Sequence, residues 1–364
     1  MKRRTIALSL FTFLLFSANS FAQKDSAIIQ FSGYVDAYYA HYTDSVAPGS
    51  YQQFPSVCPK EGFGLNTAML TAAYDAEKVR GIVSLQFGDI ARSAWSGTFN
   101  NIMEAHAGLR LSKKLWLDGG FFRTHFGTEG LLPKENIASS IAVGTWYEPY
   151  FESGLRLNYN PNDKLAINLF VLNGYNMYED NNNKKSFGTL VTYALGEKGN
   201  IGYSNYMGDD TPTQPDSIKA VSHMRIHNNL FWNYQFGKLK TQIGGDYCMQ
   251  QNSDTLGKNS ASMLSGLIAL KYQMKKNFSV YLRGEIFNDE QGFMTGVIVD
   301  KQNKQTGLNL WAATLGMEYK PTDNSYVRLE GRQIQMNSDQ EIFRWDNKNV
   351  ANRMEILFHF GVSF

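Results

Sequence analysis

The segment Met354-Glu355-Ile356-Leu357-Phe358-His359-Phe360-Gly361-Val362-Ser363-Phe364 decides the fold. Met354, Ile356, Phe358, Phe360, Val362 and Phe364 occupy every second position. Strand side chains point alternately to opposite faces, so this run has one apolar side and one mixed, charge-bearing side. The alternation recurs upstream. In Tyr326-Val327-Arg328-Leu329-Glu330-Gly331-Arg332 and in Ser279-Val280-Tyr281-Leu282-Arg283-Gly284-Glu285-Ile286, every charge falls on one face. Met103-Glu104-Ala105-His106-Ala107-Gly108-Leu109-Arg110-Leu111 and Phe31-Ser32-Gly33-Tyr34-Val35-Asp36-Ala37-Tyr38-Tyr39 repeat the pattern far up the chain. These runs are strands.

Two kinds of connection alternate between them. Short ones near residues 75–77, 112–114, 160–163, 196–200, 237–238, 275–277 and 321–324 are rich in Gly, Pro, Asn, Asp or Lys, as tight turns require. Long polar ones fall at about 43–62, 89–99, 127–147, 174–185, 208–220, 251–259, 288–304 and 337–349. Eight long connections alternating with seven short ones imply about 16 strands in a single domain. The expected fold is all-β: a transmembrane antiparallel up-and-down β-barrel with short periplasmic turns and long extracellular loops. Lipid offers the backbone no hydrogen-bond partners, so such strands must close on one another and leave no edge. Tyr74, Trp116, Tyr159, Tyr193, Tyr234, Phe236, Tyr272, Tyr319 and Tyr326 recur near the short turns, where an interfacial girdle is expected. A propeller blade of about 40–45 residues holds four short strands, whereas each unit here holds two long ones. A two-sheet sandwich would need turns every 8–12 residues or so.

Ahead of the strands lies an address. Lys2-Arg3-Arg4, the apolar run Ile6 to Phe16 and Ser20-Phe21-Ala22 read as a signal peptide over residues 1–22, leaving 23–364 for the barrel. Gln23 rather than a cysteine would head the cleaved chain, so no lipid anchor is expected. With 43% hydrophobic and 14% aromatic residues the chain is too apolar for disorder. Beyond the signal, no window approaches the 18–20 or so uninterrupted apolar residues of a membrane helix. The formal net charge is +2 and the signal holds three of the positive charges, so the remainder is near neutral and offers nucleic acid no footprint. Cys58 and Cys248 are too few for a disulfide framework; one bridge tying the first long loop to the wall, or two thiols, both remain open. No CxxC, GxSxG, HExxH or GxxxxGK[ST] run occurs, so no metal site, cofactor or catalytic residue is expected.

With the apolar phase facing lipid, Arg283, Glu285, Glu318, Arg328, Glu330, Arg332, Arg353, Glu355 and His359 point inward from the last four strands. Glu104, His106, Arg110, Glu152 and Arg156 do so from two earlier ones. Burying charges costs several kcal/mol each, so a water-filled lining is expected; a salt-bridge ladder bracing the wall is the plainer alternative. The connection at 127–147 carries Leu131, Leu132, Ile137, Ile141, Val143, Trp146 and Tyr147, too many apolar side chains for a solvated outer loop. It is expected to fold inward and narrow the bore, presenting Glu129, Lys134 and Glu135 at a constriction. Gly119-Gly120 ahead of it suggest a bulge. His223 and His227 lie about 13 Å apart along a strand and read as a solvated lumen pair. Glu179 to Asn183 and Asp209-Asp210 lack the spacing of a calcium loop.

The ending on Phe364 resembles the C-terminal strand by which outer-membrane barrels are recognised, so Phe360 and Phe364 are expected to signal to the barrel-assembly machinery. Further pieces are Ser32 to Tyr39, Leu65-Asn66-Thr67-Ala68-Met69-Leu70, Leu117-Asp118-Gly119-Gly120-Phe121-Phe122 with Phe126-Gly127-Thr128-Glu129, Ser153 to Tyr159, and Val171-Leu172-Asn173-Gly174-Tyr175. On these the chain resembles the OmpL-like family of outer-membrane β-barrel porins, most strongly over residues 31–175. It departs from the family pattern where a Ser-Arg-Ser in the third long loop is replaced by Ser139-Ser140-Ile141. The resemblance implies a passive channel for small hydrophilic solutes in the outer membrane of a Gram-negative-type bacterium, not an enzyme. Outer-membrane lipid is the surrounding partner and a homo-oligomer is open. The alternatives are a surface receptor or adhesin and, further off, a barrel-embedded hydrolase.

Overall fold

A computed structural model describes residues 28–44, 54–213, 221–337 and 339–364; the expected signal peptide over residues 1–22 lies outside them. The first strands are β1 (Ile28–Tyr42), β2 (Gly62–Asp75), β3 (Val79–Phe87), β4 (Ile102–Ser112) and β5 (Leu115–Arg123). Then come β6 (Phe151–Tyr159), β7 (Leu165–Leu172), β8 (Ser186–Ala194), β9 (Gly199–Asp209) and β10 (Met224–Phe236). After β11 (Leu239–Gln250), β12 (Ala261–Lys275) and β13 (Phe278–Asn288), a small hairpin of β14 (Ile298–Val299) and β15 (Gln305–Thr306) decorates a long loop. The chain continues with β16 (Asn309–Tyr319) and β17 (Ser325–Met336), a second small hairpin of β18 (Phe343–Trp345) and β19 (Lys348–Val350), and β20 (Asn352–Ser363). Leaving out the two hairpins, 16 antiparallel strands pair in chain order and close into a barrel. Both ends of the described chain lie at the short-turn rim.

Closure is made by β1 and β20, in register from Tyr34↔Ser363 to Tyr42↔Glu355. Gly33 N donates to Phe364 O at 2.7 Å, and Phe364 N donates to Gly33 O at 3.0 Å. The alternation sorts residues as lipid demands. Phe31, Leu70, Leu109, Phe187, Leu230 and Leu315 stand exposed on the outside, while intervening residues such as Tyr34, Asp36, Arg283 and Glu355 are buried inside. Tyr74, Tyr159, Tyr193, Phe236, Tyr272 and Tyr319 face outward near the short turns, as a girdle should. Trp116 and Tyr326 do not. Trp116 shares the phase of Asp118 and lies under the guanidiniums of Arg80 and Arg110, 4.5 and 4.8 Å from its ring. Tyr326 shares the phase of Arg328 and donates to Asp36 Oδ2 at 2.6 Å.

The bulge expected at Gly119-Gly120 is absent. The β4–β5 register runs unbroken there and shifts instead between Arg110 and Ser112. Gly120 serves another need: its φ is +138°, and a Cβ would sit 2.4 Å from Ala105 O. Cys58 and Cys248 are both buried and form no disulfide. The buried apolar clusters lie inside the cylinder, where long loops meet the inner wall.

Candidate pore constriction

The connection between β5 and β6, residues 124–150, folds into the barrel. Its Ile137, Ala138 and Ala142 pack on Leu267, Ala269 and Tyr281 of β12 and β13. Val143 joins Cys248, Met263, Phe287 and Leu310. A loop inside a barrel must find partners for its backbone polar groups, and here charged side chains of the wall supply them. Glu330 accepts from Ser139 N (2.8 Å), Ser140 N (3.1 Å), Ser140 Oγ and Tyr281 Oη (3.0 Å). Glu285 accepts from Val143 N at 2.6 Å. Arg328 donates to the carbonyls of Pro133, Ala138 and Asn136 at 2.8, 3.1 and 3.2 Å. Arg283 donates to Ser140 O at 2.6 Å and Ser140 Oγ at 2.9 Å. Carboxylates therefore meet loop N–H groups, and guanidiniums meet loop carbonyls.

The wall charges also pair with one another. Glu285 Oε1 accepts from Arg332 Nη2 at 2.7 Å and from Arg283 Nη2 at 3.2 Å. Arg328 Nε lies 2.7 Å from Glu318. Glu355 takes Arg353 and, at 3.5 Å, Arg332. The lattice covers residues expected to line a wet bore. Arg283, Glu285, Glu318, Arg328, Glu330, Arg332, Arg353, Glu355 and His359 do face inward, yet all are buried. Glu152 is buried with His125, their side chains 2.8 Å apart. The hydrated lining expected for these residues is corrected to a dry ion-pair lattice, because residues 124–150 cover Arg283, Glu285, Arg328 and Glu330, while Phe54 and Cys58 of the first long loop cover Arg353 and His359.

Glu129 is corrected likewise. It is buried between the rest of the loop and the wall, 3.1 Å from Arg283, and accepts from Ala142 N at 2.7 Å. Lys134 is half-buried, with its ammonium 4.4 Å from the centre of the Tyr34 ring. Glu135 is exposed and bidentate to Arg123, at 2.9 and 2.6 Å. On the opposite wall Glu104 and His106 lie 3.7 Å apart; Glu104 is partly exposed, whereas the His106 side chain, expected to be hydrated, is mostly buried. Arg110 is exposed, and half-exposed Arg156 shares Asp118 with Arg80. The loop is hydrogen-bonded mainly to the β10–β17 wall and also packs on β1, β4 and β7 through Leu132 and Phe126, and polar side chains that meet water lie on β3–β6, on the loop's free edge and at the short-turn end of β11 and β12. Glu148 of the loop is buried beside Asp246, with Asn229 Nδ2 at 3.4 Å. Burial first, then the Asp246 and Glu129 carboxylates, push its carboxyl well above the usual range.

One arrangement escaped sequence reading altogether. Cys58 Sγ lies 3.2 Å from His359 Nε2, and His359 Nδ1 lies 2.9 Å from Asp36 Oδ1. The order is that of a nucleophile, a base and an orienting acid. All three are fully buried, and burial followed by nearby carboxylates pushes the Cys58 thiol well above its ordinary range. A thiol held protonated, out of reach of solvent, packs rather than reacts. His227, expected to be solvated, is also buried, between Tyr175 Oη at 2.9 Å and Asp246 at 3.2 Å. Among the described residues no cluster of His, Cys, Asp or Glu suits a metal ion.

Several solved structures share the fold. The outer membrane channel DcaP of Acinetobacter baumannii superposes with a TM-score of 0.62 at 12% identity, covering 93% of this chain and 97% of that one. An anion-selective porin from Comamonas acidovorans gives 0.59 at 9% identity, covering 93% and 100%. The outer membrane protein OmpT of Vibrio cholerae gives 0.55 at 12% identity, covering 94% and 99%. No curated protein matches the chain. The family model "Putative beta-barrel porin-2, OmpL-like" matches residues 28–364, the whole span from the first strand to the last residue, and the chain belongs to that family.

Proposed function

We propose that this barrel is a narrow, passive outer-membrane channel for small hydrophilic solutes. Its short-turn rim faces the periplasm, and residues 124–150 form the constriction. The observation that carries this is the asymmetry of the interior. The loop is held to the β10–β17 wall by the buried Glu129–Arg283 pair and by hydrogen bonds to Arg328 and Glu330, while Glu104, Arg110 and Arg156 keep contact with water on the other side. A solute would pass along the β3–β6 wall beside the Arg123–Glu135 pair, where the loop meets the end of β5, chosen by size and weakly by charge. No step of this needs a catalytic group. Phe360 and Phe364 would be read by the assembly machinery, and a homo-oligomer like the trimer form of the Vibrio cholerae protein fits the same architecture.

The test is conductance of refolded protein in planar bilayers. Small, ohmic, stepwise openings are expected. A folded, inserted barrel that never conducts would overturn the reading and favour a receptor working through its long loops.

A further inference from the structure

The short-turn end of the lumen holds a feature that permeation alone does not require. A cavity of about 550 Å³ opens there, lined by Lys134, Lys238, Lys240, Lys271, Lys320 and Arg328, with Glu318 and Asp323 as its acids. Glu318 is already engaged by Lys271 and, at 2.7 Å, by Arg328. Lys238, Lys240 and Lys320 form no ion pair among the described residues. Lys240 and Lys271 stand directly opposite one another on neighbouring strands, both facing inward. Like charges in that position destabilise a sheet, so folding alone does not explain them. Lys134 adds a cation from above, since the inward loop roofs the cavity. Across the bore, Arg80 and Arg156 share the single carboxylate of Asp118, and Arg110 lies over Trp116, so the opposite wall also carries surplus positive charge.

We infer that this vestibule binds a soluble, multiply charged anion, one presenting several clustered anionic oxygens, such as an oligophosphate or a tricarboxylate. Converging ammonium groups on flexible stems suit such a ligand: each is a compact charge that can adjust its position. A bore with low-dielectric walls focuses the field of those charges. Because the basic side chains line the inside of the barrel, the ligand reaches them from the aqueous end and not from the bilayer. Binding here does not depend on conduction, so the two readings can fail separately.

The experiment is calorimetric titration of the folded, full-length mature barrel in uncharged detergent, with sodium pyrophosphate and, separately, citrate as probes. Saturable binding of at least one probe is expected, weakening as salt is raised. Lys240→Glu with Lys320→Glu should weaken it by at least about tenfold, since each reversal turns an attraction into a repulsion a few ångströms from the ligand. Lys258→Glu, at the long-loop end, should leave it unchanged. Should the reversal variant fail to show the heat-modifiable migration of a folded barrel, Lys240→Gln with Lys320→Gln replaces it and should also weaken binding. Absence of saturable binding for both probes, or equal binding by a folded double variant, overturns the inference.

Discussion

At the scale of single residues, the interior holds charges that are safe only in company. Arg283 contacts Glu129, Glu285 and two atoms of Ser140, and is itself 1% exposed. Removing one partner of a buried pair leaves the others uncompensated, at a cost of about 3–5 kcal/mol. Arg283→Ala should therefore loosen residues 124–150 before it unfolds the barrel. The checks are protease cleavage within that segment and a larger single-channel conductance. Glu148 works in the opposite sense. Its raised carboxyl pKa means the folded state holds a proton that the unfolded chain releases near neutral pH, so its effect on stability becomes more favourable as pH falls toward the ordinary carboxylate range. Glu148→Gln should make the barrel more stable at neutral pH by about 1–3 kcal/mol, and the gap to the parent should close as pH falls. Urea unfolding of both proteins across that pH range measures it; an equal gap at every pH refutes it. The inward direction of Arg283 and Glu285 was readable from alternation. Their dryness was not, because it comes from a loop whose docking no periodicity encodes.

At the scale of elements, strands and loops are held together by glycines lying under tyrosines. Tyr38 faces Gly64, Tyr281 faces Gly316 and Tyr326 faces Gly361 across neighbouring strands. A Cβ on any of these glycines would fall 2.2 Å from the tyrosine ring. Each ring lies flat over the neighbouring backbone, a cross-strand pairing that covers the bare glycine. Tyr281 in turn donates to Glu330, which holds the loop. Gly316→Val should displace that ring and cost about 1–3 kcal/mol by overpacking, with the loop cleaved faster by protease. Gly284→Ala on the adjoining strand meets nothing within 4 Å and should be near neutral. Equal effects of the two substitutions would refute the pairing argument. The connection lengths that place these elements were visible in turn chemistry. Which tyrosine covers which glycine depends on register across strands, set only when the sheet forms.

At the scale of the whole molecule, the decisive act is closure. The seam between β1 and β20 ends in two backbone bonds between Gly33 and Phe364 and in the terminal ring lying over Gly33. Deleting Phe364 should remove about 1 kcal/mol per lost bond, and more within the membrane, where water cannot replace them. The expected outcome is a smaller fraction of heat-modifiable, folded barrel after refolding into vesicles. An unchanged fraction would show that the seam closes without its last residue. The family match and the solved neighbours extend this closed architecture to other porins, at identities too low to carry function with it.

Alternation, turn composition and the aromatic end are local properties, written in residues two or a few positions apart. They determined the strands, the order of short and long connections, the barrel, and which side chains face lipid. The state of the interior is a non-local property. Whether Glu330 lines water or caps Ser139 and Ser140 depends on residues about 190 positions away, and Cys58 meets His359 across 301. Only closure of the cylinder brings such groups to hydrogen-bond distance. Once they meet, desolvation replaces hydration as the energy that must be balanced, and a row of charges that alternation marks as wet becomes a dry lattice holding the loop in place.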